Sequence, residues 1–599
     1  MAVDEEELVL DGSVDLRGKP VVREKTGGWR ACSLIIGYEF VERMAFAGIW
    51  ANLVVYLTTK LHEGTVTSAR NVSNWTGTTW LAPLLGAYIA DTYLGRFWTF
   101  IIFSSVYILG MGIMTLAVTL KSLRPPECQP NEVCQKASSL QIGIFYFALY
   151  VLAFASGGTK PCISTIGADQ FDDFHPKEKL RKSTFFNWWI FVVFGGSLVG
   201  QTFIVYIQDN ISWGLASGIT TAALIISYIL FMIGIPLYRH KIRAGSPLRR
   251  MGKVIGMLIK NWKMQVPTDA FCLYEVDSKE YLSQGRYPIA HTKLMRFMDK
   301  AAIQNTSGSC PCTVTDVEET KLMLRIFPIW LTVIFPSTLL AQSVTLFIKQ
   351  GLTLHRNIGS NFEIPAASIG FFLQISMLLS LIFYDRILVP VSRRFTGNPR
   401  GITILQRMGI GMVIYTIDMG VAAITEMKRL DVIKSHGLAD NANAIVPRSI
   451  FILLPQFGIM GIAETFLEVA KLEFFYDQAP ESMKSLGTSL YAASLGVGAF
   501  LNSAILTAVN SVTGRKGHQS WILDNVNASR FHYYYAFLAI LNIFNYIFFL
   551  AISYFYTYKR EISQALGEDS TKVTEVVGPN SQNVNVTHNG IQCNQIIRK

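Results

Sequence analysis

Three ionisable residues, Glu39, Glu42 and Arg43, interrupt an otherwise apolar run near the start of the chain. At about 100° per residue on a helix, Glu39 and Glu42 lie about 60° apart and Glu39 and Arg43 about 40° apart, so all three share one face. Charge inside a membrane is costly, so such a face must look into protein or a water-filled cavity. One arginine cannot balance two carboxylates, and the carboxylate left over can take up and release a proton. The plain alternative is a structural Arg–Glu clamp between helices. A second cation, Lys160, follows Gly157-Gly158-Thr159 and precedes Pro161. The glycines allow close packing and the proline removes a helical hydrogen bond, so the backbone can bend there. At 1.5 Å per residue, Lys160 and the Glu39–Arg43 group each lie on the order of 15 Å from the inner face and can meet at one depth. A lysine reaching back to the interface is the alternative.

Glu464 and Glu468 stand one turn apart in a later apolar run. Glu464, nearer the middle, is the candidate to face Lys160 and Arg43 from the opposite half. Glu468 with Lys471 reads as a local ion pair. Acidic residues and lysines look otherwise scarce in the middles of the later runs. Asp91 and Arg96 bracket a tight turn in Gly86-Ala-Tyr-Ile-Ala-Asp91-Thr-Tyr-Leu-Gly95-Arg96. That arrangement suits a charge latch at an inner gate; a plain turn is the alternative.

The elements that carry these residues are set by composition. Half of the 599 residues are apolar and 16% are charged, against about 25% charged in globular chains. Mean hydropathy is +0.32. This excludes a disordered chain and disfavours a large soluble enzyme. The net charge, 53 − 42 = +11, points to basic cytoplasmic loops rather than to nucleic acid. Eight cysteines are too sparse for a disulfide scaffold. Cys128 and Cys134, in an outer loop, are placed to pair in an oxidising exterior or to stay free. Asn71-Val-Ser, Asn74-Trp-Thr and Asn527-Ala-Ser fit the glycosylation sequon near outer loops. No cleavable signal is expected at the N-terminus. No nucleophile elbow, phosphate loop or metal-spaced His/Cys set occurs, so no enzyme activity, cofactor or metal is expected.

A membrane helix needs roughly 20 apolar residues. Twelve runs meet that length, at about 31–57, 73–94, 98–120, 139–166, 184–207 and 214–238, then 322–348, 364–386, 402–425, 447–475, 484–510 and 531–558. The runs predict an all-α membrane protein of twelve transmembrane helices. The expected divisions are a cytoplasmic N-terminal tail 1–30, a six-helix half 31–238, a cytoplasmic central loop 239–321, a second six-helix half 322–558 and a disordered cytoplasmic tail 559–599. The central loop holds 14 Lys/Arg and 8 Asp/Glu. Two pseudo-symmetric six-helix halves around such a loop are the layout of the major facilitator fold. Arg239, Lys241, Arg243, Arg249, Arg250 and Lys253 abut the sixth run and put that end, and both tails, inside.

Longer motifs then carry a family resemblance. Glu39-x-x-Glu42-Arg43 resembles the ExxER motif of the proton-dependent oligopeptide transporters, and Gly86–Thr99 resembles their first signature. Gly157-Gly-Thr-Lys-Pro-Cys-Ile-Ser-Thr-Ile-Gly-Ala-Asp-Gln-Phe171 and Phe474-Phe-Tyr-Asp-Gln-Ala-Pro-Glu-Ser-Met-Lys-Ser485 are similar to the plant nitrate transporter 1/peptide transporter family, nearest to its peptide branch. The likeness covers about residues 28–560. It implies a proton symporter working by alternating access. Glu39, Glu42 and Arg43 would couple protons, Lys160 would link them to substrate, and Glu464 would meet a peptide amino group. The family's peptide carriers commonly have two tyrosines and an arginine after the first motif; Phe46, Ala47 and Trp50 stand there. Phe194 replaces an asparagine of the fifth-span signature, Phe185-Phe-Asn-Trp-Trp-Ile-Phe-Val-Val-Phe194. Leu340 takes the place of a histidine used by a nitrate-carrying relative. Phe46, Trp50 and Phe194 are therefore expected to line the substrate site. Arg96-Phe-Trp-Thr99 has the spacing basophilic kinases accept, and a relative is regulated at the matching threonine, so Thr99 is a candidate phosphorylation site.

The expected function is proton-coupled symport of di- and tripeptides, with a small-molecule substrate, protons and the lipid bilayer as partners and no nucleic acid. A carrier of nitrate, a plant hormone or a glycoside is the alternative, and a non-transporting sensor fits the retained Glu pair and Lys160 poorly. The plasma membrane is expected, with the vacuolar membrane as the other location.

Overall fold

The computed structural model describes residues 9, 13–126, 135–172, 175–241, 247–266, 273–276, 289, 291–303, 312–359, 362–397, 401–480, 483–515 and 519–558. Cys128, Cys134 and the tail 559–599 lie outside them. The chain is all-α apart from short strand pairs. Leu354–His355 runs parallel to Val446–Ser449, and Asn357–Ile358 pairs antiparallel with Phe362–Glu363.

Eleven helices among the described residues are long and apolar enough to cross a membrane: Gly28–Thr59, Arg96–Thr119, Ser139–Ala168, Leu180–Asn210, Trp213–Ile233, Val314–Leu352, Ala366–Thr396, Ile404–Ser435, Ile450–Gln478, Leu486–Thr513 and Phe531–Phe555. The remaining run falls in the helix Thr65–Ile89, which starts eight residues earlier than the run at 73–94. Its first turns are rich in Ser, Thr and Asn and therefore fall short in hydropathy. Their polar groups are engaged inside the protein: Thr65 N–H donates to Asp524 (2.7 Å), Asn71 donates to Tyr146 (2.6 Å), and Ser73 accepts from Asn502 (2.9 Å).

The chain divides into two compact units. The first holds residues 1–243, 332–471 and 492–548. Within it, the glycines that sequence marked as packing sites are contact points. A side chain at Gly86 would collide with the backbone of Gly157, and a Cβ at Gly157 would stand 2.7 Å from the carbonyl oxygen of Ala82. The second and fourth helices thus cross backbone to backbone. Gly77 meets the carbonyl of Gly496 in the same way, at 3.0 Å. That contact, Ser73–Asn502, Thr65–Asp524 and the Asn210–Glu363 bond (3.4 Å) join the two six-helix halves. The ends of the second and eighth helices carry matching π-helical turns, Ala90–Leu94 and Tyr384–Leu388.

From Ser13 on, the N-terminal segment is bonded to the rest of this unit. Val14 exchanges backbone hydrogen bonds with His240 (2.9 Å each), and Arg23 pairs with Asp172 at 3.2 Å. Arg239 is buried, and its guanidinium donates to Glu178 (2.8 Å) and to the carbonyls of Thr26 (2.8 Å) and Arg23 (3.1 Å). It is a staple between the segment before the first span and the end of the sixth.

The second unit holds residues 244–331, 472–491 and 549–599. The stretch read as a loop at 239–321 is folded in part. A helix Pro247–Lys260 packs Val254 against Met298, Ala301 and Ala302 of the 3-10 turn Arg296–Ala302, and against Cys312, Val314 and Val317. The seventh membrane helix begins at Val314, not near 322. Lys321 crosslinks the region, 2.7 Å from Asp299 and 2.8 Å from Glu318, while His291 lies 2.9 Å from Asp299. His291, Asp299 and Glu318 have metal-ligand chemistry, but the Lys321 ammonium already serves both carboxylates.

Candidate substrate and proton site

The first helix brings Glu39, Glu42 and Arg43 to one face, as 3.6-residue periodicity requires. Arg43 Nε donates to Glu39 at 2.6 Å, and Glu42 lies 3.5 Å from the same nitrogen. Both carboxylates are about 1% exposed. Neither oxygen of Glu42 has a hydrogen-bond partner among the described residues. Glu39 therefore holds the arginine and Glu42 is the carboxylate left over. Tyr38 and Tyr107, both buried, stand within electrostatic range of Glu42. Gly196 of the fifth helix packs on the backbone at Phe40 and on the Cβ of Arg43, which fixes the height of the arginine stem.

Lys160 comes to this group from the fourth helix, whose start is fixed by a Ser138–Gln141 capping box and whose middle contains Pro161. Its ammonium is within electrostatic range of Glu39, Glu42 and Arg43. It has no hydrogen-bond partner among the described residues. Instead it sits 3.8 Å from the ring centre of Phe46 and 5.0 Å from that of Trp80. Such cation–π contacts hold an ammonium without neutralising it. Phe46, expected to line the substrate site, has one face taken by the lysine and also packs on Trp75 at 5.8 Å. Trp50 and Phe194 are half-buried, and the Trp50 indole N–H has no partner among the described residues.

In the second half, Glu464 is nearly buried and accepts a hydrogen bond from the Tyr415 hydroxyl. Glu468 is 2.6 Å from Lys471, the local pair that spacing suggested, and Lys471 also donates to Ser337 at 3.1 Å. No described ion pair joins Glu464 to Lys160 or Arg43. The expectation of few charges in the later spans is overturned. Asp418 is fully buried on Ile404–Ser435, one turn from Tyr415, and neither of its oxygens has a described partner. Glu426 and Arg429 lie buried on the same helix. The signal for Asp418 was present, as a lone acid inside Ile-Gly-Met-Val-Ile-Tyr415-Thr-Ile-Asp418-Met-Gly-Val-Ala-Ala.

At the inner turn, Arg96 pairs with Asp169 at 2.8 Å, and Lys241 is 3.9 Å from the same carboxylate. The latch sequence placed on Asp91 is made by Asp169, from the end of the fourth helix. Asp91 acts on Arg96 only at longer range. Gly95, at φ +79°, provides the left-handed residue that turns the chain into the third helix. Thr99 is fully buried in the first turn of that helix, its hydroxyl without a hydrogen-bond partner among the described residues. Asn527, in the third sequon, is also buried, bonded to Arg429, Asn441 and Ala444.

A family model described as the POT family matches residues 97–522. The chain belongs to this family of proton-dependent transporters. Two Arabidopsis thaliana proteins are similar over nearly their whole length. NRT1/PTR family 5.2 is 50% identical over 582 residues, covering 96% of this chain and 99% of that protein. NRT1/PTR family 5.1 is 51% identical over 552 residues, covering 92% and 94%. Among solved structures, an auto-inhibited POT family peptide transporter has a TM-score of 0.65 at 19% identity, covering 88% of this chain and 97% of that one. The POT family transporter PepTSo has a TM-score of 0.64 at 21% identity, covering 88% and 99%. At that identity they bear on the fold alone. This transporter is thus a multi-pass integral membrane protein that moves a small-molecule substrate with protons, and not an enzyme.

Proposed function

We propose that this transporter is a plasma-membrane symporter of di- and tripeptides working by alternating access. One observation carries the reading. The Glu42 carboxylate and the Lys160 ammonium are opposite in charge, and their polar atoms are buried with no hydrogen-bond partner among the described residues, beside an Arg43 already bonded to Glu39. A group in that state can exchange a proton for a neighbour's charge as the two halves move. A peptide zwitterion needs a cation for its carboxylate and an anion for its amine. Lys160 and Arg43 supply the first, and Glu464 the second. The hydrogen bonds that join the halves support a rocking mechanism, since they must break for the side they close to open.

One feature favours the alternative of nitrate, a hormone or a glycoside. The rings of Phe46 and Trp80 pack on the cation and suit a larger, less polar ligand than a short peptide. Uptake in oocytes from an unbiased mixture, at acid and neutral outside pH with currents recorded, separates the two. Proton-linked current that no di- or tripeptide inhibits, with the protein at the surface, would overturn the peptide reading and leave the proton reading standing.

A further inference from the structure

The helix Pro247–Lys260 presents three faces. Taking Val254 as zero and about 100° per residue, the buried face carries Val254 with Leu258 and Met257 beside it, and packs on the 3-10 turn. Leu248, Ile255 and Ile259 fall about 100–140° round. They are exposed although apolar, Ile259 by 68%. Arg249, Lys260 and Lys253 fall about 220–260° round and are exposed too. Gly252 and Gly256 separate the apolar strip from the basic one. Trp262, in the turn that follows, is 64% exposed.

A helix buried on one side needs only polar residues on the rest. This one exposes Leu248, Ile255 and Ile259 along one strip, beside a strip of positive charge. Residues 247–264 contain five Lys/Arg (Arg249, Arg250, Lys253, Lys260, Lys263) and no Asp or Glu. The helix lies in the stretch between the sixth membrane helix, which ends at Ile233, and the seventh, which begins at Val314, and the basic residues along it favour the inner side. An apolar strip flanked by basic residues is the pattern of helices that lie in the headgroup layer. An acidic protein partner would match the charges but leaves the isoleucines unexplained.

We propose that Pro247–Lys260 is an interfacial anchor that binds the anionic lipid headgroups of the inner leaflet. Leu248, Ile255 and Ile259 would enter the acyl boundary while Arg249, Lys253 and Lys260 contact phosphate or carboxylate groups. The consequence is that the region linking the two halves is held at the membrane surface, and more firmly where the leaflet is anionic.

Hydrogen exchange of the full-length protein in nanodiscs tests this. In discs of phosphatidylcholine with phosphatidylserine, amides of 247–264 should exchange several-fold more slowly than in phosphatidylcholine alone, and high salt should remove the difference. Arg249→Glu with Lys253→Glu should abolish the lipid effect while exchange in the membrane helices stays unchanged. Should that double substitution unfold the helix, the salt titration of the unaltered protein decides alone. Equal exchange in both discs would overturn the proposal, whether fast, from a helix standing in water, or slow, from one covered by another part of this chain or a second copy.

Discussion

Two buried Glu–Arg pairs in this transporter look alike in sequence and differ in how completely they are bonded. On the ninth span, Arg429 donates to both oxygens of Glu426 (2.8 and 2.7 Å), to Thr353 (3.0 Å), to Asn527 (3.1 Å) and to the carbonyl of Val526 (2.9 Å). Those bonds use all the donors a guanidinium has. Gln350 adds a further donor to Glu426 at 2.8 Å. On the first span, Arg43 has one short bond to Glu39, Glu42 has none, and Lys160 rests on aromatic rings. A saturated pair has no alternative state of similar energy and acts as a wall. An incomplete cluster can lose or gain one charge and rearrange. Charge inside the helices is common to both sites, and the missing bonds single out the first-span cluster as the candidate for coupling.

That contrast predicts which substitutions break the protein and which break the coupling. Arg429→Met should be the most damaging, because it leaves Glu426 buried without its cation. Breaking such a pair costs roughly 3–5 kcal/mol, seen as a lower melting temperature in detergent and less protein at the surface. Adding Glu426→Gln should recover part of the loss. A single Arg429→Met protein as stable as the parent would show that the comparison misjudges this pair.

Glu42→Gln and Lys160→Ala should do the reverse, leaving melting temperature and surface level near the parent and removing acid-driven accumulation. Glutamine cannot carry a proton, so exchange at equal substrate on both sides should survive in Glu42→Gln. Lys160→Ala removes the ammonium that stands within electrostatic range of Glu39 and Glu42 and leaves them with Arg43. Unchanged pH dependence of uptake in either variant would make its residue structural.

The helices and the first-half cluster were legible in sequence because hydropathy and 3.6-residue spacing act locally. Glu39, Glu42 and Arg43 sit on one helix, so their shared face followed from arithmetic. The partner of Arg96 was not legible. Asp91 is five residues away, while Asp169 is brought by the fourth helix crossing the second at Gly86 and Gly157. The partners of Arg239 were not legible for the same reason, since Glu178, Arg23 and Thr26 come from distant segments. The central stretch reads as a polar loop on average, and its small core depends on residues 254, 298 and 312 meeting. Asp418 was legible and missed, since it obeys the rule applied to Glu39.

A smaller effect concerns selectivity, where the incomplete cluster meets substrate. With Arg43 bonded to Glu39, the proposed peptide site would hold a substrate carboxylate on Lys160 and Arg43 alone. Aromatic contacts are worth about 0.5–1.5 kcal/mol each beyond area burial, which biases selection several-fold toward apolar or aromatic peptides. Trp50→Arg should shift preference toward small, polar or anionic peptides. Glu464→Gln should lower peptide uptake more than uptake of an anion, because it removes only the group for the amine. Competition profiles of the two variants check both, and profiles identical to the parent's would place substrate elsewhere.

The smallest expected effect is at Thr99. Its side chain is fully buried one turn after Arg96, and its amide donates to Gly95 at 3.1 Å. A kinase could reach the hydroxyl only after that first turn opens. A phosphate there brings about two negative charges beside Arg96 and competes with Asp169 for the guanidinium, so it loosens the latch as the ninth-span pair is never loosened. Thr99→Ala removes one hydroxyl with no described hydrogen-bond partner and should transport like the parent. Thr99→Asp should alter transport by forcing a carboxylate into the same buried turn. Initial rates measured at several substrate concentrations separate a change in affinity from a change in turnover. Identical rates for the Ala and Asp forms would mean that the latch does not respond to charge at this position, and would remove Thr99 from the switching elements.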